Sequence, residues 1–197
     1  LTSANFNFDP GDVSPDDSAA VASAAAVLET AGLHREAAKA YRLIAVLHLD
    51  GSQHDEALRF AELAIVQARL SQERHQVAAT LAFRAQLWAS GPLPAAAVIE
   101  AIEPLLMEVE GSGIPRSFMY FNLVELYGMT GRFEEAREAA ALSRSIALDL
   151  GHVLEAAATS HASGPMERLA GNLEIAETEL RADYETLMQA GERRLGS

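Results

Sequence analysis

Glycine returns at a fixed interval in this chain. Gly51, Gly91, Gly131 and Gly171 are evenly spaced. Gly111, Gly151 and Gly191 form a second series halfway between them, with Ser71 in the equivalent earlier place. Glycine adopts a positive φ at little cost, which suits the residue just after a helix. Two breaks per period imply two helices per repeat, each of about four to five turns at 3.6 residues per turn. Self-similarity at a period of about 40 residues marks an array of stacked units.

The segments between the breaks carry helical periodicity. In 135–148, Ala139, Leu142 and Ile146 share one face while Glu135, Arg137, Glu138 and Arg144 take much of the other. The stretch 173–188 repeats this with Ile175, Ala176, Leu180, Tyr184 and Leu187. Strict alternation of β-branched residues is missing, and alanine, the strongest helix former, is abundant. The pattern predicts helices near 16–31, 34–49, 54–70, 73–89, 95–110, 115–130, 133–150, 153–170 and 173–190. Pro104 and Gly164-Pro165 fall inside predicted helices and should bend or shorten them, whereas Pro92 and Pro94 sit at a turn and a helix start. A polar leader, 1–14, with a turn at Asp9-Pro10-Gly11, precedes a single repeat domain over 15–197. Ser14-Pro15-Asp16-Asp17 reads as the cap of the first helix. Helices joined by short turns lie antiparallel, and one hairpin cannot bury its apolar stripe alone. The expected fold is all-α: a superhelical solenoid of antiparallel hairpins with about nine helices.

Charge and composition narrow the function. With 28 acidic and 15 basic side chains the formal charge is −13, which opposes binding to nucleic-acid backbones or anionic lipid. There is no cysteine, so disulfides and thiolate zinc sites are excluded, and a cytoplasmic setting is expected. The alanine-rich run from Ala19 to Leu28 is too short to span a bilayer and lacks the basic leading region of a secretory signal. Leu1 in place of an initiator methionine suggests a processed chain or a segment of a larger protein.

The common catalytic signatures are missing. No G-x-x-x-x-G-K-[ST] phosphate loop, H-E-x-x-H pair or nucleophile elbow is present. His48, Asp50, His54 and Asp55 form the only local cluster resembling metal ligands, but they flank the Gly51 turn and read as turn and cap residues. Glu134-Glu135 and Asp16-Asp17 lie at predicted helix starts, where acidic groups favour the helix dipole. No catalytic residue, cofactor or metal is expected.

Two sets of residues resemble the tetratricopeptide family. Tyr41, Ile44, Ala45 and His48 match its first helix, and Ala57, Ala61 and Ala64 its second; Tyr120, Leu123, Val124 and Tyr127, followed by Ala136 and Ala140, form another set. Leu81, Ala85 and Trp88 with Ala97 match more loosely, because Arg84 occupies a place usually apolar. The last hairpin keeps Gly164 at the small position and Ala176 on the second helix but holds Glu167 at the aromatic place. The resemblance implies that Tyr41, Ala57, Trp88, Ala97, Tyr120, Tyr127, Ala136, Gly164 and Ala176 pack the repeats. Its register implies an inner groove lined by Arg42, Val46, Ala82, Gln86, Phe118, Phe121, Glu125, Met129, His161 and Arg168. The alanines at 57, 97, 136 and 176 recur every 39–40 residues, longer than the family's usual repeat of about 34 residues.

A narrower resemblance rests on the blocks AGLHREAAKAYRLIAVLHLDG, GPLPAAAVIEAIEPLL, GRFEEAREAAALSRSIALDLG and ELRADYETLMQAGERRLGS. In this order they look like the repeat region of large bacterial signalling proteins with a class III adenylate or guanylate cyclase domain, an ATPase and tetratricopeptide repeats. It implies a non-catalytic module that binds a protein or peptide, another domain of its own polypeptide, or a small ligand. The competing expectations are the repeat region of a large ATP-dependent transcription activator, a stand-alone peptide-binding adaptor and, from another class, an α-helical metal-dependent hydrolase.

Overall fold

Most turns in this protein close in the same way. At the end of the helix before Gly131, the Gly131 N–H donates to the Gly128 carbonyl at 3.1 Å and the Arg132 N–H reaches back to Tyr127 at 2.9 Å, with Gly131 at φ 74°. This pair of bonds satisfies carbonyls that the helix end leaves open. The same turn recurs with positive φ at Gly32, Gly151 and Gly171. Three turns differ from the sequence expectation. Gly51 has φ −77°, and its neighbour Ser52 takes the left-handed position at 59°; beyond Ser71, Gln72 takes it at 58°. Gly91 is not left-handed either.

The computed structural model describes residues 15–189, with side chains from Ala19 onward. The leader 1–14, its Asp9-Pro10-Gly11 turn, the Ser14 cap, the Asp16 and Asp17 side chains and Gly191 lie outside the described residues. Within them the chain is all-helical: α1 (Pro15–Thr30), α2 (His34–Asp50), α3 (His54–Leu70), α4 (Arg74–Ala89), α5 (Ala95–Glu108), α6 (Ile114–Met129), α7 (Phe133–Asp149), α8 (Val153–Ala157), α9 (Ser160–Leu169) and α10 (Leu173–Gln189). No strand occurs among the described residues, and none of their helices is long and apolar enough to cross a membrane.

Nine helical segments were expected, and the eighth is interrupted. The break falls at Ala158-Thr159, where the Thr159, His161 and Ala162 N–H groups bond three residues back. Gly164-Pro165 runs inside α9 without a break, and Pro104 inside α5, which ends at Glu108, short of the expected 110.

A single repeat domain was expected over 15–197. The contacts of the described residues form two compact units, divided between Thr80 and Leu81 inside α4. In the first unit α2 packs on both α1 and α3. Its core is built mostly from alanine, with Ala37, Ala38, Ala45, Ala57, Ala61 and Ala64 fully buried around Tyr41, Ile44 and Phe60. In the second unit α6 packs on α5, α7 and α9, α7 also on α9, and α9 on α10.

Small residues set these contacts. A Cβ on Gly128 would come within 2.9 Å of Met166, and one on Gly164 within 2.8 Å of Leu180. The α6–α9 and α9–α10 approaches therefore depend on glycine. The fourth residue of α3, α7 and α10 is the alanine expected to pack, at 57, 136 and 176, and all three are buried. The expectation for Ala97 is corrected: Ala97 is exposed and Val98, the fourth residue of α5, is buried in its stead. The turn before α5 spans five residues, 90–94, where the turns before α3, α7 and α10 span three. Pro92 and Pro94 stretch it, and Pro94 enters the helix at φ −58°, ψ 135°. The added length delays the helix start and slips the register by one.

Periodicity also misjudged two faces. On α7 the buried line runs through Ala136, Ala139, Ser143 and Ala147, leaving Leu142 exposed. On α10 only Ala176 and Leu187 are buried, while Ile175, Leu180 and Tyr184 are exposed.

Candidate functional site

The groove residues fall in both units. In the first, Arg42 and Val46 are half-buried, and burial draws the Arg42 guanidinium below its usual range. Beside them a polar chain joins three helices. The buried Tyr41 donates to Glu29 at 2.6 Å, Gln67 donates to the other Glu29 oxygen at 2.8 Å, and His34 donates to Gln67 at 2.8 Å. The hydrogen bond to Glu29, then burial, pushes the Tyr41 hydroxyl up to about 12. Tyr41 is thus held among α1, α2 and α3 by this network.

Of the histidine cluster, His48 is engaged in packing, while Asp50 and Asp55 are exposed and the His54 Nε2 is buried without a hydrogen-bond partner among the described residues. His48 stacks on Phe60 with ring centroids 5.1 Å apart and holds Gln53 through Nδ1 at 2.5 Å, while Arg59 covers Phe60 at 4.2 Å. No three His, Asp or Glu side chains among the described residues converge as metal ligands.

In the second unit, α6 is buried along nearly its whole circumference, including Ser117, Met119, Asn122, Leu123, Val124, Leu126, Tyr127 and Gly128. An accessible stripe runs through Phe118, Phe121, Glu125 and Met129, spaced by three and four residues, and Ile114, Arg116 and Tyr120 are half-buried beside it. Phe118 and Phe121 are half-buried and stacked, 5.8 Å between centroids and 3° between planes. Glu125 is exposed, and Met129 retains 60% of its accessible surface. The neighbouring α9 exposes His161 and Arg168, one face apart from its buried Ser160, Ala162, Ser163 and Met166. Gln86 on α4 is half-buried. Ala82 is corrected: it is only 3% exposed and cannot line an open groove.

The packing residues of this unit behave unevenly. Tyr127 is buried, donates to Glu103 at 2.9 Å and lies under Arg132 at 4.5 Å. Burial first, then Glu103, pushes its hydroxyl up to about 12. Tyr120 and Trp88 are half-buried, each beside an arginine, Arg116 at 5.5 Å and Arg84 at 4.4 Å. The cation at the unusual Arg84 place thus covers the Trp88 ring.

Sequence reasoning noted Glu167 only as a departure from the aromatic place. It is 2% exposed and forms a fork with Arg137, Nε to Oε1 at 2.6 Å and Nη2 to Oε2 at 2.9 Å, with Asn172 donating at 2.8 Å. The Arg137 hydrogen bond holds the Glu167 carboxyl below the usual range. The signal was Arg137 itself, on the second helix of the preceding hairpin. Further ties run from Arg144 to Asp183 at 3.0 Å and from Ser117 to the Ser143 carbonyl at 2.8 Å. A cleft of about 290 Å³ between α7, α9 and α10 contains Arg137, Glu167 and Glu179. Its Arg137–Glu167 pair is already committed, and its Ser163 hydroxyl donates to Glu179 at 2.5 Å.

The second unit thus presents an accessible stripe on α6 that carries the stacked Phe118–Phe121 pair. No protein-family model matches the chain, and no curated protein matches it either.

Proposed function

We propose that this chain is a non-catalytic, tetratricopeptide-like binding module of a cytoplasmic bacterial signalling regulator of the cyclase–ATPase type. In this reading its hairpins stack as a solenoid, and the α6 stripe holds a peptide or protein segment. The observation that carries it is the stacked, half-buried Phe118–Phe121 pair on a helix that buries most of its other side chains. Large rings on a pre-ordered backbone are the usual anchors of interfaces, because little conformational entropy is lost on contact. Glu125 and Met129 extend the stripe with a charge for orientation and an adaptable apolar side chain. A segment that binds one curvature of the stack better than another shifts the population, which attached domains can read.

The test is selection of peptides from a displayed library on the intact chain, followed by titration against a Phe118→Ala/Phe121→Ala variant. Selected peptides are expected to lose tenfold or more in affinity on the double variant, while its circular dichroism stays unchanged. Peptides that bind both chains equally would place the binding surface elsewhere.

A further inference from the structure

The interruption between α8 and α9 has no local cause. Residues 156–162 read Ala-Ala-Ala-Thr-Ser-His-Ala, without the proline or glycine that usually breaks a helix. Thr159 and Ser160 do bond back to the Glu155 and Ala157 carbonyls, which bends helices slightly. Yet Thr80 in α4 and Thr178 and Thr186 in α10 bond back in the same way inside unbroken helices.

What sets the break apart is a carboxylate from another helix. The Thr159, His161 and Ala162 N–H groups bond three residues back, while the Ser160 N–H turns to Asp183 on α10. Asp183 is only 14% exposed and also accepts from Arg144 on α7 at 3.0 Å. A side chain inserted into the four-residue ladder kinks a helix, and a charged acceptor binds an N–H more strongly than a carbonyl does. The groups facing Asp183 are Arg144 from α7, Ser160 from α9 and Glu179 from α10. Glu155 of α8 is exposed and engaged with His152 at 3.1 Å, and His161 of α9 is exposed.

The unbroken state costs little packing. α8 sets only Ala156 and Ala157 into the core, so it can turn without opening a large cavity. Three-residue bonds wind the chain by about 120° per residue, against about 100° in an α-helix. Restoring the three slipped bonds would therefore turn α8 by roughly 60° against α9. Burial already favours a neutral Asp183, drawing its carboxyl above the ordinary value despite Arg144. Arg144, 35% exposed, can return to water.

We propose that this joint is a charge-sensitive hinge: the Asp183 carboxylate holds α8 and α9 apart, and its protonation lets 153–169 run on as one α-helix. The inference goes beyond the α6 stripe and does not depend on it.

Hydrogen-bond couplings in nuclear magnetic resonance spectra of the intact chain test it. In the parent at neutral pH the Ser160 amide is expected to show no coupling to the Ala156 carbonyl. That coupling should appear in Asp183→Asn at the same pH. It should also appear in the parent under mild acid, with the midpoint at which the Asp183 carboxyl carbon titrates. A folded Asp183→Asn chain that keeps the three-residue bonds would overturn the proposal. So would an Asp183 carboxyl that titrates while the Ser160 amide stays unmoved, a result that decides the matter even where Asp183→Asn fails to fold.

Discussion

Gln72 holds a left-handed backbone at φ 58° without being glycine, while Gly131 holds the same place in its turn at 74°. An L-residue there is strained by roughly 1–2 kcal/mol, partly offset by the lower chain entropy it loses on folding. Gln72 is exposed and a Cβ on Gly131 would meet nothing within 4 Å, so backbone strain alone decides both cases. Gln72→Gly should stabilise by about 1 kcal/mol and Gly131→Ala destabilise by a similar amount in urea denaturation. Tyr127 supplies a second residue-scale test. Its raised value favours the protonated hydroxyl in the folded chain. Its contribution is thus full below the ordinary tyrosine value of about 10 and is lost as pH rises towards about 12. Phenolate absorbance should show Tyr41 and Tyr127 titrating late, and Tyr127→Phe should remove one late step. Loss of an ordinary step at about pH 10 in its place would contradict the Tyr127–Glu103 contact.

Among the helices, the sequence showed most clearly what depends on local chemistry. The turns near 131, 151 and 171 and the buried alanines at 57, 136 and 176 follow from glycine and from small side chains at helical spacing. The slip at α5 was hidden because two prolines lengthened one turn, which displaced Ala97 without altering the spacing of the alanines. The Arg137–Glu167 fork was hidden because it joins helices far apart in the chain, and periodicity does not reveal partners. That fork also makes an element-scale prediction. A carboxylate held below its usual range stabilises the fold above the ordinary value of about 4.3, and that stability is lost as pH falls through the folded-state value. Glu167→Gln should therefore flatten the acid limb of thermal stability against pH. In a double-mutant cycle, Arg137→Ala and Glu167→Ala should couple by about 1–3 kcal/mol. Additive effects would show that α7 and α9 do not share this contact.

In the molecule as a whole, apolar periodicity did not reveal which faces lack a neighbour. Leu180 and Tyr184 read like core residues and proved exposed, whereas the α6 stripe read as groove-facing and is accessible. Both follow from one cause: a repeat array shows the same pattern on every helix, but burial depends on what lies next to each. The binding reading requires the accessible aromatic stripe on α6 to be where a partner sits. Side-chain chemical shifts of the intact chain, recorded with and without a library-selected peptide, test this most directly. The account predicts the largest changes at the Phe118 and Phe121 rings and the Met129 methyl. Changes centred away from α6, with those three signals unmoved, would contradict it.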